Sequence, residues 1–172
     1  MTLHQLFVHF PIAFLSLYAI LELIRFKRFV TFPSAFYMKA TLLFFGILGA
    51  VAALLTGDLD SHNYGESVRP LINTHEMFAQ ITFVIFLIIA CAYAIEYVSR
   101  SHQKLLERNH RINRTIAGIR RIMSPTLVVF FAFVGLITLT ITGGLGAAIA
   151  YGPHADPIVS FFVNILNLAA QK

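Results

Sequence analysis

The sequence predicts an all-α integral membrane protein, four transmembrane helices in one antiparallel bundle, and three observations carry that expectation. The 172-residue chain is 58% hydrophobic and only 12% charged, where soluble globular proteins carry about 25% charged residues. Four apolar stretches, at about 5–24, 35–56, 70–98 and 125–151, each reach the roughly 20 residues that cross a bilayer as helix. The basic residues are also segregated. Eleven of the thirteen Lys and Arg fall in two segments, Arg25 to Lys39 and Arg100 to Arg121.

That segregation predicts orientation. Loops rich in Lys and Arg stay cytoplasmic, so both termini and the segment around Gly57–Arg69 are expected on the periplasmic side of a bacterial inner membrane. The net charge of +5 then sets topology and meets anionic lipid. No basic patch interleaved with aromatics is present, and nucleic acid is not an expected partner. The single Cys91 excludes an internal disulfide and a Cys-x-x-Cys haem attachment, and mid-span it reads as a buried, inert thiol. No basic residue precedes the first span, so it is expected to be retained and not removed as a signal peptide.

In the first span Pro11 lies within the opening turns, where it deprives the Phe7 carbonyl of its helical partner and predicts a kink or a late helix start. Glu22 and Arg25 at the inner end stand at helix-pair spacing. The second span follows Pro33 and ends in small residues, with Gly46, Gly49 and Ala53 on a shared face that allows close helix approach. Gly57, Asp58 and Asp60 read as a polar turn that lacks the full calcium-loop pattern.

Proline suits a first helical turn, so Arg69-Pro70 opens the third span, which carries Asn73, Thr74, His75 and Glu76 before its apolar run. Between the third and fourth spans, Leu105, Ile112, Ile116 and Ile119 recur at helical spacing among arginines, which predicts an amphipathic helix on the cytoplasmic membrane surface. The fourth span ends in Gly143, Gly144 and Gly146. The apolar 158–170 segment is too short to cross and is expected to lie along the outer interface.

Ionisable side chains inside a bilayer are costly and point to function. Five of the seven histidines, His4, His9, His62, His75 and His154, fall in the expected outer half. Helical rise puts His9 and His75 at a similar depth, and five residues at 100° apiece separate His4 from His9 by about 140°. The expectation is that His9 and His75 ligate a haem b across the bundle interior, with Gly49, Gly143 and Gly144 facing the macrocycle. His4 and His154 would form a second centre or rim pair. Imidazole also suits copper and zinc, and bundles hold cofactors between facing helices in this way. Thr74, Asn73 and Gln80 are candidates to support the centre or to meet a quinone. His62 reads as a loop residue, and His102 and His110 as solvated surface residues. No nucleophile elbow, His-Glu-x-x-His or phosphate loop is present, so no catalytic residue is assigned.

The His4-x-x-x-x-His9-Phe10-Pro11-Ile12-Ala13 opening, Gly57-Asp58-x-Asp60, His75, and Gly143-Gly144 leading to Tyr151-Gly152-x-His154 resemble the bacterial membrane proteins called domain of unknown function 2231. The resemblance covers nearly the whole chain and implies four spans with a histidine-rich outer half. It implies no established reaction. The functional expectation from the residues is a cytochrome b-like electron-transfer subunit of a larger respiratory or photosynthetic complex. Such a subunit would join the quinone pool to an outward redox partner such as a c-type cytochrome or iron-sulfur protein. The alternatives are a cofactor-free structural or assembly subunit, or a copper or zinc membrane protein.

Overall fold

The computed structural model describes residues 3–24, 34–61, 64–101, 114, 116–118, 124–154 and 156–166. Among the described residues there is helix and no strand. The first span is α1 (Leu3–Phe7) and α2 (His9–Leu23). The second is α3 (Ala35–Ser61), the third is α4 (Arg69–Ser101) preceded by a 3₁₀ turn at Glu66–Val68, and the fourth is α5 (Pro125–Tyr151). A short α6 (Pro157–Ile165) follows. Among the described residues, four helical spans are long and apolar enough to cross a membrane.

The expected disturbance in the first span is present. Regular helix is interrupted at Val8, three residues before Pro11. The backbone bonds Val8 N to His4 O at 3.0 Å and Ile12 N to Val8 O at 3.3 Å carry the chain through the break. Beyond it, α2 buries Pro11, Leu15, Tyr18, Ala19 and Glu22 and exposes Phe10, Ile12, Leu17 and Ile20.

The small face of α3 receives that buried stripe. A Cβ on Gly49 would lie 2.8 Å from Phe10 Cβ and 2.9 Å from Pro11 Cδ, and one on Gly46 would collide with the Leu15 side chain. Only glycine lets the helices approach this closely. His4 meets Ala53 while Glu22 meets Lys39, so the first two spans run in opposite senses. On the other side of the bundle, Gly135 of α5 lies against the Phe86 ring. Residues from all four spans close one core, including Leu15, Leu43, Phe86, Ile89 and Ala132.

Helix ends follow ordinary capping chemistry. Ser124 caps α5 by accepting from Leu127 N, with Pro125 at the first helical position. Asp156 caps α6, its Oδ1 accepting from Ile158 N at 2.7 Å and Val159 N at 2.9 Å. The nine-residue α6 buries Val159 and Val163 beside Ala148, and a Cβ on Gly144 would come within 2.5 Å of the Phe162 ring.

Two details differ from the sequence reading. Gly57-Asp58-x-Asp60 lies in the C-terminal end of α3 and is not a turn of its own. Cys91 is exposed, because it falls on the side of α4 opposite the buried Thr82, Phe86 and Ile89. The surface helix expected between the third and fourth spans lies almost wholly outside the described residues, as do His62, His102 and His110.

Candidate functional site

Two polar sites sit at opposite ends of the bundle. The first joins His4 and His75, whose ring centres are 6.3 Å apart with planes at 88°. Both rings are anchored to a different helix. His4 Nδ1 lies 2.9 Å from the Ala53 carbonyl of α3, with Thr56 Oγ1 at 3.4 Å. His75 Nδ1 lies 3.0 Å from the Thr142 carbonyl of α5. A carbonyl only accepts, so each Nδ1 carries the proton and donates it, which leaves the lone pair of a neutral ring on Nε2.

Glycine makes room for both rings. A Cβ on Gly57 would stand 3.0 Å from His4 Cε1, and one on Gly146 would stand 3.2 Å from His75 Cε1. The helical Gly57 is therefore a seat for an imidazole. This also explains why the chain keeps a poor helix former inside α3.

The placement of His4 follows from the stripe it belongs to. His4, Pro11, Leu15, Tyr18 and Glu22 recur at spacings of seven, four, three and four, and from Pro11 onward all are buried. His9 falls on the other side. It is exposed, and its Nδ1 donates to the Gln5 carbonyl at 2.7 Å, a local bond across the helix break. The fold thus brings His4, and not His9, to His75. The separation of His4 from His9 holds, but the inward member is the earlier one.

The other expected site residues are dispersed. His154 is exposed in the turn after α5, just past Gly152 with its φ of 97°, while His4 is turned to His75. Gly49 is filled by Phe10 and Pro11, Gly144 lies under Phe162, and Gly143 has nothing within 4 Å of an added Cβ. Thr74 spends its hydroxyl on the Pro70 carbonyl at 2.8 Å. Asn73 and Gln80 are exposed on the outside of α4.

The second site is at the basic end. Glu22 and Lys39 are only 5% and 9% exposed, and Lys39 Nζ lies 2.8 Å from Glu22 Oε2. Tyr93 donates its hydroxyl to the same oxygen at 2.9 Å. Tyr18 packs edge-on against Tyr93 at 5.8 Å between ring centres. Phe36 stacks on Tyr93 at 5.3 Å, and the Arg100 guanidinium lies over the Phe36 ring at 4.3 Å from its centre. Glu96 and Arg100, four residues apart on α4, pair at 2.8 Å. The expected partner of Glu22, Arg25, lies outside the described residues. Among the described residues, the Tyr18 hydroxyl and Asp60 Oδ2 are buried atoms that meet no hydrogen-bond partner.

These features define a four-span helical membrane protein with an imidazole pair at one end and a buried ion pair at the other. The chain belongs to the family described as predicted membrane protein (DUF2231), which matches residues 1–155 and so takes in both sites but not α6. No curated protein and no solved structure matches the chain.

Proposed function

We propose that the protein is a cytochrome b-like electron-transfer subunit whose centre is a haem b held by His4 and His75. The reading rests on one observation. Two imidazoles from different spans stand 6.3 Å apart, each fixed through Nδ1 by a backbone carbonyl of another helix. Ligating histidines are oriented in this way by the hydrogen bond of their second nitrogen. The two rings stand close enough that His4 and His75 would hold one group between them.

The donor set favours haem over a bare ion. Among the described residues no three His, Cys, Asp or Glu side chains gather where one ion could be held. Zinc takes three or four protein ligands, whereas haem iron needs at most two from the protein because the macrocycle supplies the others. When bound, the group supplies one-electron chemistry. His4 and His75 hold and orient it, Ala53 and Thr142 fix the tautomers, and the apolar bundle excludes water. The histidine end faces outward in this reading, toward a soluble or membrane-anchored redox partner, with the quinone pool as the membrane-side carrier.

An absorption spectrum of protein purified from haem-replete membranes tests the reading. Reduced α and Soret bands are expected. They should be lost in His4→Ala and in His75→Ala and kept in His9→Ala. A folded wild-type protein with neither band overturns the haem, and loss of the bands only in His9→Ala overturns the ligand pair.

A further inference from the structure

At the histidine end one buried polar atom is left over once the imidazole pair is built. Asp60 is half-buried, and its Oδ2 is buried and meets no hydrogen-bond partner among the described residues. The residue lies at the C-terminal end of α3, where the helix dipole already disfavours negative charge. Arg69, a basic side chain at the same end, stands 3.8 Å from Glu66. At the other end of the bundle the buried carboxylate of Glu22 has Lys39 against it at 2.8 Å. Among the described residues Asp60 has no such cation, and a buried charge without one is costly.

Its place on the helix says what stands near it. Ala53, Gly57 and Asp60 follow one another at spacings of four and three and so share a face of α3. That face holds His4. The Ala53 carbonyl accepts from its Nδ1, and a Gly57 Cβ would stand 3.0 Å from its Cε1. Cβ positions three residues apart on a helix are about 5–6 Å apart, so Asp60 stands one turn beyond the seat of the His4 ring. In a low-dielectric interior a carboxylate at that range attracts positive charge strongly.

We propose that Asp60 is the counter-charge of a cationic group bound between His4 and His75, acting as its electrostatic partner and not as a ligand. The inference rests on the haem reading only for the identity of that group. Asp60 favours the ferric form of a haem, whose iron keeps a positive charge that the macrocycle does not cancel, over the neutral ferrous form. It therefore holds the reduction potential down.

Asp60→Asn keeps the shape of the side chain and removes its charge. The full chain in detergent is titrated with ferric haem, with ferrous haem and, separately, with Cu²⁺ read as broadening of the His4 and His75 ring ¹⁵N resonances. Ferric haem and Cu²⁺ should each bind Asp60→Asn about three- to thirtyfold more weakly than wild type, and ferrous haem should bind both equally. The reduction midpoint of the haem-loaded variant should rise by about 59 mV for each tenfold lost. Glu66→Gln removes an exposed carboxylate of the same end and should change none of these. Without ligand, Asp60→Asn should unfold at the wild-type temperature or above it, because no protein group loses a partner. Weakened Cu²⁺ binding in a chain that takes up no haem would sink the haem reading and leave this inference standing. Unchanged ferric and Cu²⁺ affinity in Asp60→Asn would do the reverse. Equal losses for ferric and ferrous haem, equal losses in Glu66→Gln, a less stable or unfolded Asp60→Asn, or a folded wild type that binds neither cation would each overturn the proposal.

Discussion

The two ends of the bundle treat buried polarity in opposite ways. At the basic end, Glu22 meets Lys39 and Tyr93 within 2.9 Å, so positive charge, negative charge and hydroxyl answer one another. At the histidine end, each imidazole is answered on one nitrogen only, and the other nitrogen is left with a lone pair. The first arrangement serves packing: one carboxylate ties α2, α3 and α4 together, with the neighbouring Tyr18 hydroxyl left without a partner among the described residues. The second is oriented through Nδ1 of each ring, and among the described residues Nε2 of each meets no hydrogen-bonding group. Burial of an ionisable group in a membrane thus has two meanings here, separated by how completely its hydrogen-bonding capacity is used.

The largest expected effect lies at the basic end. Lys39→Ala leaves the Glu22 carboxylate buried without its cation, and breaking a buried pair in this way costs about 3–5 kcal/mol. Glu22→Gln combined with Lys39→Met removes both charges and should recover most of that loss. Thermal unfolding in detergent measures both. If Lys39→Ala unfolds at the wild-type temperature, the pair contributes nothing and the contrast between the ends fails.

Next in size is Gly49→Ala. The added Cβ would lie 2.8 Å from Phe10 Cβ and 3.1 Å from Pro11 N, and backbone does not yield as a flexible side chain does. Overpacking of this sort costs about 1–3 kcal/mol, against up to about 1 kcal/mol gained from helix propensity. Because the first span must move away from α3, His4 moves with it. The expected outcome is a lower unfolding temperature together with loss of the imidazole pair, seen in the ring ¹⁵N resonances of His4. A destabilised variant with an unchanged His4 would show that the helix contact and the site are independent.

Much of the bundle was legible because hydropathy is a local, additive signal over about 20 residues. The spans and the close approach at Gly46 and Gly49 come from residues whose size and hydropathy can be read directly. The site was half legible. A histidine pair across the first and third spans follows from depth alone, but which histidine faces inward depends on azimuth. The angle between His4 and His9 says only that they diverge. The stripe His4, Pro11, Leu15, Tyr18 and Glu22 puts Tyr18 and Glu22 on the side of His4, and that is the signal that picks His4. Lys39 was hidden for a different reason. Arg25 is closer to Glu22 in sequence, while Lys39 arrives from the next helix. Gly57 was misread because Gly-Asp is a common turn signal and nothing local reveals that a ring rests on the glycine.

The smallest expected effect is at that glycine, and it divides stability from function. In Gly57→Ala the new Cβ would stand 3.0 Å from His4 Cε1 and 3.2 Å from His4 Nδ1. The ring has to give by a few tenths of an ångström, which the side chain can do by turning. The helix gains from replacing glycine by alanine, up to about 1 kcal/mol, so net stability should change by less than that in either direction. The His4 ring, however, should lose its bond to the Ala53 carbonyl and with it the tautomer that leaves Nε2 open. Ring ¹⁵N shifts in the apo protein should therefore change for His4 and not for His75, and pigment retention should fall if haem is bound. Gly146→Ala provides the mirror case, with His75 Cε1 at 3.2 Å, and should disturb His75 less because the contact is looser. Both substitutions leaving both rings unshifted would mean that the glycines are there for helix packing alone.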